Sequence, residues 1–486
     1  MSFPTGPAVS RPRVLVANRG EIAVRVVTAC RRLEFEPVVA VSAADVDSLA
    51  ARLADRVVRL GPAQASRSYL RPELIAQAAL QTGCDIVHPG YGFLSEKVEL
   101  AELLEREGIA FAGPRSQTLR EVGDKAAARR MAVATGVPVA PASEVDDPAS
   151  ARVAAAEIGY PVLLKAVHGG GGRGIHRVDG PDDLARLVDV AAAEARAAFA
   201  DGALYLEKFY GSGRHVEVQI FGDGEGGVLI LGDRDCSVQR RHQKLIEECP
   251  APGLSEATRA LLHDSARRLA EHLRYRGAGT CEFLVDAASP HDPATVVFLE
   301  MNARIQVEHP VTEEAFGIDL VAAQLLLAAG RPHGLPEVPP VPPAHVVECR
   351  LTAEDPWHDF RPSPGRITRL DLPRGPGVRV DTHVYESYLF PPYYDSLLAK
   401  VIVRGHDRAA AVAGALAAVD AIRVDGVATC ADVHRVVLAH PDFRAGGVTT
   451  GWLAGVWPPA SDTAVHDDFP RPPADQEPRD TAGAPA

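Results

Sequence analysis

Pro161-Val162-Leu163-Leu164-Lys165-Ala166, then Gly169-Gly170-Gly171-Gly172-Arg173-Gly174, then Ile175-His176-Arg177-Val178 is the stretch from which the fold is read. The apolar run predicts a strand, and Ile175 to Val178 predicts a second one before Asp179-Gly180 turns the chain into a helix over 181–199. Gly169, Gly171 and Gly174 have the spacing Gly-x-Gly-x-x-Gly, but a dinucleotide-binding turn needs a helix directly after the glycines, and here a strand follows. The pattern is instead a strand–loop–strand hairpin whose bare amides can approach phosphate oxygens, similar in principle to the glycine-rich loop of protein kinases. A purely structural hairpin is the alternative, but four consecutive glycines are costly to order and fill no core. Residues 140–209 are therefore expected to form a small lid domain that closes over a nucleotide and excludes water.

A nucleotide under such a lid needs a polar face to rest on. In Phe298-Leu299-Glu300-Met301-Asn302-Ala303-Arg304-Ile305-Gln306-Val307-Glu308-His309-Pro310, a period of two puts Glu300, Asn302, Arg304, Gln306 and Glu308 on one face if the backbone stays extended. A solvated strand face is the bland alternative. Upstream, Gly279 to Asp286 reads as a strand whose Glu282 could face the same side as Glu300 across an antiparallel hairpin. Two carboxylates beside an asparagine oxygen make a hard oxygen site suited to Mg²⁺ carrying ATP phosphates. After the predicted strand Val228–Gly232 comes a basic and amide-rich run, Asp233 to Lys244, read as an anion site rather than ordinary surface because the chain as a whole is acidic.

That acidity is 64 Asp and Glu against 51 Lys and Arg, a formal charge of −13, which gives nucleic acid or an anionic membrane no global attraction. The 486 residues suggest about three domains. An apolar fraction of 46% and a charged fraction of 24% are those of a globular protein. Met1 to Ser10 lacks the pattern of a signal peptide, and the longest apolar runs, such as Leu320 to Ala329, are too short to span a bilayer. None of the seven cysteines is spaced as Cys-x-x-Cys, so a reducing, cytoplasmic setting without disulfides is expected.

At the N-terminal end, Arg13 to Ala17, Glu21 to Leu33 and Val38 to Ser42 predict a strand, helix and parallel strand. The turn Asn18-Arg19-Gly20-Glu21 has a single glycine, and Asp85 to His88 runs into Pro89–Glu96, at a strand end where open α/β sheets place ligands. Leu204 to Phe209 and Arg214 to Ile220 read as strands, and Ser255 is expected to cap a helix to Tyr275, ended by Gly277. Leu335 to Pro343 reads as a linker. Beyond it His345–Leu351, Arg366–Leu372, Val378–Val384 and Ser396–Val403 predict strands of a β-rich lobe, with helices near 407–420 and 430–439. The lone Arg350 reads as a buried salt-bridge partner. Few large apolar residues follow Trp457, which predicts a disordered tail.

In this order the motifs Ala17-Asn18-Arg19-Gly20-Glu21-Ile22-Ala23, His88-Pro89-Gly90-Tyr91-Gly92-Phe93-Leu94, Lys165 to Gly174, Arg234-Asp235-Cys236-Ser237, Arg240 to Lys244 and Glu300 to Glu313 resemble the biotin carboxylase component of biotin-dependent carboxylases, in the ATP-grasp superfamily. The resemblance runs over about residues 11 to 456. It implies an α/β and α+β multidomain chain: a Rossmann-like N-terminal domain (11–112), a helical linker (113–139), the lid (140–209), a C-terminal ATP-grasp and biotin carboxylase domain (210–456) and the tail (457–486). It also implies carboxylation of biotin by bicarbonate and ATP through carboxyphosphate. ATP, Mg²⁺ or Mn²⁺, and biotin on a carrier protein are the cofactors so implied.

Carried over by position, Lys125, Lys165, Gly169, Gly170, Gly171, Gly172, His215, Gln239 and His242 resemble contacts to the nucleotide, with Glu207 and Lys208 at its adenine side. Glu282, Glu300 and Asn302 resemble the metal ligands, and Lys244, Arg304, Gln306 and Val307 the bicarbonate site. Glu308 resembles the general base that deprotonates bicarbonate, and Arg350 the arginine that stabilises the biotin enolate. Departures are mild: Ile175-His176 stands where Met-Arg is usual, Ala303 where Thr is common, and Tyr210 at an often aliphatic position. Met1, Met131 and Met301 do not adjoin a lysine, so no biotin-attachment signature is present and the carrier and carboxyltransferase are expected as separate chains. A homodimer through the first domain is implied, with Arg25 near its interface. The alternatives are an ATP-grasp ligase with another nucleophilic acceptor and a non-catalytic subunit of a carboxylase complex.

Overall fold

The computed structural model describes residues 11–145, 147–166, 175–199, 202, 204–211, 213–287, 291–292, 295–336 and 342–459. The predicted glycine loop, with Gly169, Gly170, Gly171 and Gly172, lies outside the described residues, as do 337–341 of the predicted linker and 460–486 of the predicted tail.

The inner N-terminal strands are apolar on both faces and bury both, whereas the edge strand Arg56–Gly61 is largely exposed. Arg13–Val16 (β1), Glu36–Ser42 (β2), Arg56–Gly61 (β3), Ile86–His88 (β4) and Ala110–Phe111 (β5) form a sheet of order β3-β2-β1-β4-β5, and β1 pairs in parallel with both β2 and β4. The strand order reverses at β1, so the turns leaving β1 and β4 flank one crevice at the carboxyl ends. They are tied together there: Asn18 Nδ2 donates to the carbonyls of Pro89 (2.7 Å) and Tyr91 (2.8 Å).

The stretch expected to be a lid contains a four-stranded antiparallel sheet of Ala142–Val145 (β6), Val162–Ala166 (β7), Ile175–Val178 (β8) and Leu204–Lys208 (β9), in the order β6-β9-β7-β8. Helices Pro148–Ile158 and Pro181–Phe199 close its core through Ala151, Ala155, Leu184 and Val188. Asp147 caps the first of them, accepting from the amides of Ala149 (2.9 Å) and Ser150 (2.7 Å).

The remainder is organised by one eight-stranded antiparallel sheet. Gly213–Asp223 (β10), Val228–Arg240 (β11), Gln243–Cys249 (β12), Arg276–Asp286 (β13), Val296–Asn302 (β14) and His345–Thr352 (β15) are joined in it by Leu397–Gly405 and Val378–Thr382. In β10, Val216, Val218 and Ile220 share a core with Leu262, Ala266 and Leu269 of helix Glu256–His272. The alternate residues of β10 therefore point to the opposite face, on which helix His309–Phe316 lies.

Several expectations are corrected. The extended run stops at Asn302: the Ala303 amide donates to Glu96 of the N-terminal domain (3.1 Å), and Pro310 sits in the first turn of the next helix. Even before that the alternation slips, because Glu282 pairs with Glu300 but Phe283 with Phe298, leaving Leu299 as a bulge, 44% exposed. The basic run after the predicted strand Val228–Gly232 is itself strand, carried through β11 and into β12 with a tip at residues 241–242. Helix Glu256–His272 ends before Tyr275, whose ring is fully buried, and Gly277 lies inside β13. The predicted strand Arg366–Leu372 is two short ones, Gly365–Arg366 and Arg369–Asp371, paired to different partners. Trp457 is packed against Trp357, so the folded chain reaches at least that far. Arg25 Nη2 donates within the chain to Glu313 (2.8 Å) and Asp319 (2.5 Å), which leaves the expectation of a nearby dimer interface untested.

The register of β10 on β13 depends on a close approach at Gly222, where a Cβ would overlap the Tyr275 carbonyl. Gly222→Ala is expected to lower stability by about 1–3 kcal/mol, read as a shift of the urea midpoint at constant slope.

Candidate active site

The polar face of β10 carries His215, Glu217 and Gln219, all buried. Strand register sets Glu300, Glu282, Glu217 and Arg234 in one row across β14, β13, β10 and β11. Arg234, at 0% exposure, spends its donors on Glu217 (2.5 Å), Gln219 (2.6 Å), Thr312 (2.9 Å), Gln306 (2.8 Å) and Thr280 (3.2 Å). With its oxygen on Arg234, Gln306 turns its amide nitrogen to Glu282 (2.8 Å).

Lys244, brought in from β12, sits at the centre of the carboxylates. Its ammonium donates to Glu217 (2.6 Å), Glu308 (2.6 Å) and Glu282 (3.2 Å). The other oxygen of Glu308 accepts from Arg350 Nη2 at 3.0 Å, so one carboxylate is held between two cations. Burial alone would push the Glu308 carboxyl up, but Lys244, Arg350 and Arg234 outweigh it and hold the group well below the usual carboxylate range. Burial likewise opposes the charge on Lys244, and the surrounding Cys236, Glu217, Glu308 and Glu282 raise it well above the ordinary lysine value. Glu282 is similarly depressed, its burial overcome by Lys244 and His215.

The segment between β14 and the following helix hangs on fixed points. Arg304 donates to Asn302 Oδ1 (2.8 Å) and lies 3.2 Å from Glu96, while the Val307 carbonyl accepts from the buried Lys400 (2.8 Å). Arg304, Val307 and Arg350 line a cavity of about 410 Å³ together with Asn18, Glu21 and Tyr91 from the two N-terminal turns. The cavity thus joins the crevice of the parallel sheet to the charged face of the antiparallel one.

On the other side of Glu282, His215 Nε2 is 3.0 Å from its carboxylate, and Nδ1 meets the Gln239 amide at 2.8 Å. On the small sheet β6–β9, Lys165 pairs with Glu207 (2.6 Å), and Lys208 donates to the carbonyls of Gly159 (2.9 Å) and Tyr160 (3.1 Å). His242 is exposed at the β11–β12 tip, apart from the cluster. Lys125 begins helix Lys125–Ala134, and its side chain lies outside the described ones.

The donor chemistry suits a hard cation: Glu282 and Glu300 are directly opposed in register, a repulsive arrangement that a cation relieves, with Asn302 two residues further on. Among the described residues, three histidine, cysteine or carboxylate ligand atoms come within 4.8 Å of one another in two places, at His215, Glu217 and Glu282, and at Glu217, Cys236 and Glu308. Sequence reading did not assign Glu217, Arg234, Glu96, Glu247 or Lys400. Glu217 had a signal in the alternation of Arg214 to Ile220, Arg234 in the basic run Asp233 to Lys244, and Glu96 in the turn Pro89–Glu96, though none was given a role; Glu247 and Lys400 lie in otherwise apolar stretches with nothing local to assign them.

Three family models match the chain: Biotin carboxylase, N-terminal domain over residues 10–119; Carbamoyl-phosphate synthase L chain, ATP binding domain over 124–336; and Biotin carboxylase C-terminal domain over 348–455. A biotin carboxylase from Nostoc sp. is 44% identical over 91% of this chain and 98% of its own. A crystal structure of a Campylobacter jejuni biotin carboxylase–β-γ-ATP complex matches at a TM-score of 0.85 and 41% identity, covering 93% of this chain and 100% of that one. The biotin carboxylase domain dimer of Hydrogenobacter thermophilus 2-oxoglutarate carboxylase, in complex with MgADP, ADP and bicarbonate, matches at 0.83 and 39%, over 91% and 97%.

His215 supplies a pH test of the cluster. Burial pushes its imidazole down, but Glu282 overrides this and raises it above the ordinary value of 6.5. A raised folded-state value means that the stabilisation is complete below 6.5 and fades as the pH rises through the folded-state value. The stability gap between the parent and His215→Asn, measured by urea unfolding, is expected to be wider at pH 6 than at pH 9; a gap independent of pH would contradict the assignment.

Proposed function

This chain belongs to the biotin carboxylase family, and we propose that it carboxylates biotin with ATP and bicarbonate, with Glu308 as the base. The observation that carries the assignment of the base is the position of Glu308 between Lys244 and Arg350, beside the cavity edged by Arg304 and Val307. Bicarbonate would lie against Lys244, Arg304, Gln306 and the backbone at Val307. Its negative charge competes for Lys244 and Arg350, and as those contacts loosen Glu308 regains basicity in a water-poor setting.

Glu308 then takes the bicarbonate proton. The freed oxygen bonds to the γ-phosphorus as the bond to ADP breaks, giving carboxyphosphate. Lys165, Glu207 and Lys208 in the lid, with Lys125, His215, Gln239, His242 and the glycines 169–172, would hold the nucleotide. Glu282, Glu300 and Asn302 would hold magnesium or manganese, which supplies positive charge to the phosphates.

In the second half, the carboxyl carbon bonds to the ureido nitrogen as its bond to phosphate breaks, and the ureido proton leaves with inorganic phosphate. Arg350, facing the cavity, would stabilise the negative oxygen of the deprotonated ring. The cavity of about 410 Å³, lined also by Tyr91 and Glu21, has room for a fused ureido ring. We assign the biotin to a separate carrier protein and the next transfer to a separate carboxyltransferase chain. A homodimer is proposed by analogy with the domain dimer above. The cytoplasm is proposed because all seven cysteines are free and buried, and no helix among the described residues is long and apolar enough to cross a membrane.

Glu308→Gln is expected to lower bicarbonate-dependent, biotin-stimulated ADP formation by about 10²–10⁴-fold while ATP affinity by calorimetry stays within about threefold. Turnover that neither needs bicarbonate nor responds to biotin would overturn the reading.

A further inference from the structure

Arg350 is held from a second side by a carboxylate that the proposed mechanism does not use. Glu247 lies in β12, at 0% exposure, opposite Glu348 of β15, which makes Arg350 its diagonal cross-strand neighbour. Arg350 Nε donates to Glu247 Oε1 at 2.5 Å, and Nη2 also reaches that oxygen as well as Glu308 Oε2. Among the described residues Nη1 makes no hydrogen bond, and Arg350 lines the cavity. The Nε edge is therefore spent on Glu247, Nη2 is shared, and Nη1 is left over.

Glu247 is a costly residue at this place. Its second oxygen is buried without a hydrogen-bond partner, both oxygens of the adjacent Glu348 are likewise unpartnered, and burial pushes the Glu247 carboxyl up to about 7. A buried pair kept only for stability is matched or bettered by apolar residues of similar volume. The directional effect on Arg350 is what such residues would not reproduce. Without Glu247, the guanidinium has Glu308 as its sole carboxylate partner and is free to rotate onto it, withdrawing the donor from the cavity and tightening its hold on the base.

We propose that Glu247 is a positioning residue for carboxyl transfer, fixing the plane of the Arg350 guanidinium so that one donor faces biotin and Glu308 is only partly neutralised. This rests on the biotin carboxylase reading given above.

The test uses the full chain with ATP, labelled bicarbonate and free biotin, measuring carboxybiotin and ADP separately. Glu247→Gln is expected to lower kcat for carboxybiotin at least tenfold, with KM for ATP and bicarbonate within twofold and fewer carboxybiotins formed per ADP. Glu247→Asp, which keeps the charge, is expected to recover at least threefold over Gln. Glu348→Gln, next door but not bonded to Arg350, is expected to keep the carboxybiotin-to-ADP ratio within twofold. Should Glu247→Gln fail to fold by thermal melting, Glu247→Asp decides alone, with kcat lowered three- to tenfold at unchanged KM. Parent-like coupling in Glu247→Gln, equal Gln and Asp variants, or an equal loss in Glu348→Gln would overturn the proposal. A parent protein that makes no carboxybiotin would instead overturn the reading beneath it.

Discussion

The charged face rests on the Arg234 guanidinium. A fully buried cation would be prohibitive without compensation, and here each nitrogen is committed to an oxygen: Glu217 on Nε, Gln219 and Thr312 on Nη1, Thr280 and Gln306 on Nη2. Those partners come from β10, β13, the irregular segment after β14 and the helix that follows it. Because the guanidinium is planar, satisfying them all leaves one arrangement of four chain segments. The orientation of Gln306, and with it one hydrogen bond to Glu282, follows.

Around that anchor the charges interlock. Lys244 serves three carboxylates, and Glu308 in turn is shared between Lys244 and Arg350. Each ion is affordable only because its neighbours carry the opposite sign in a medium that screens poorly. The same coupling would make the cluster responsive to the proposed anion, which would redistribute the cations rather than add to a settled set. The N-terminal domain takes part from outside: Glu96 holds the Ala303 amide and approaches Arg304, while Glu21 lies 3.0 Å from Lys400, which supports the Val307 carbonyl.

Much of the architecture was legible along the chain, for local reasons. The parallel strand–helix–strand unit, the paired strands flanking the glycines, the helix Pro181–Phe199 and the Ser255 cap all follow from apolar periodicity and terminus chemistry. The opposition of Glu282 and Glu300 was also readable, since a hairpin of two apolar strands has few registers that keep its core buried. The polar alternation past Asn302 was misleading. Arg304, Gln306 and Glu308 do approach one site, but from a bent segment, so their shared direction comes from Glu96, Arg234 and Lys244 and not from a strand period.

By itself the sequence determined the element types, the pairing of two strands around the glycines instead of a dinucleotide turn, and which motifs resemble the family. These depend on residues within one or two turns of each other. Only the tertiary structure decided that Arg234 and Glu217 organise the charged face, that Glu247 grips Arg350, and that Arg25 reaches Glu313. Each of those facts is a pairing across sheet register or between domains. The free energy of a buried charge depends on which partner the fold brings within hydrogen-bonding distance, and no local pattern of residues encodes that distance.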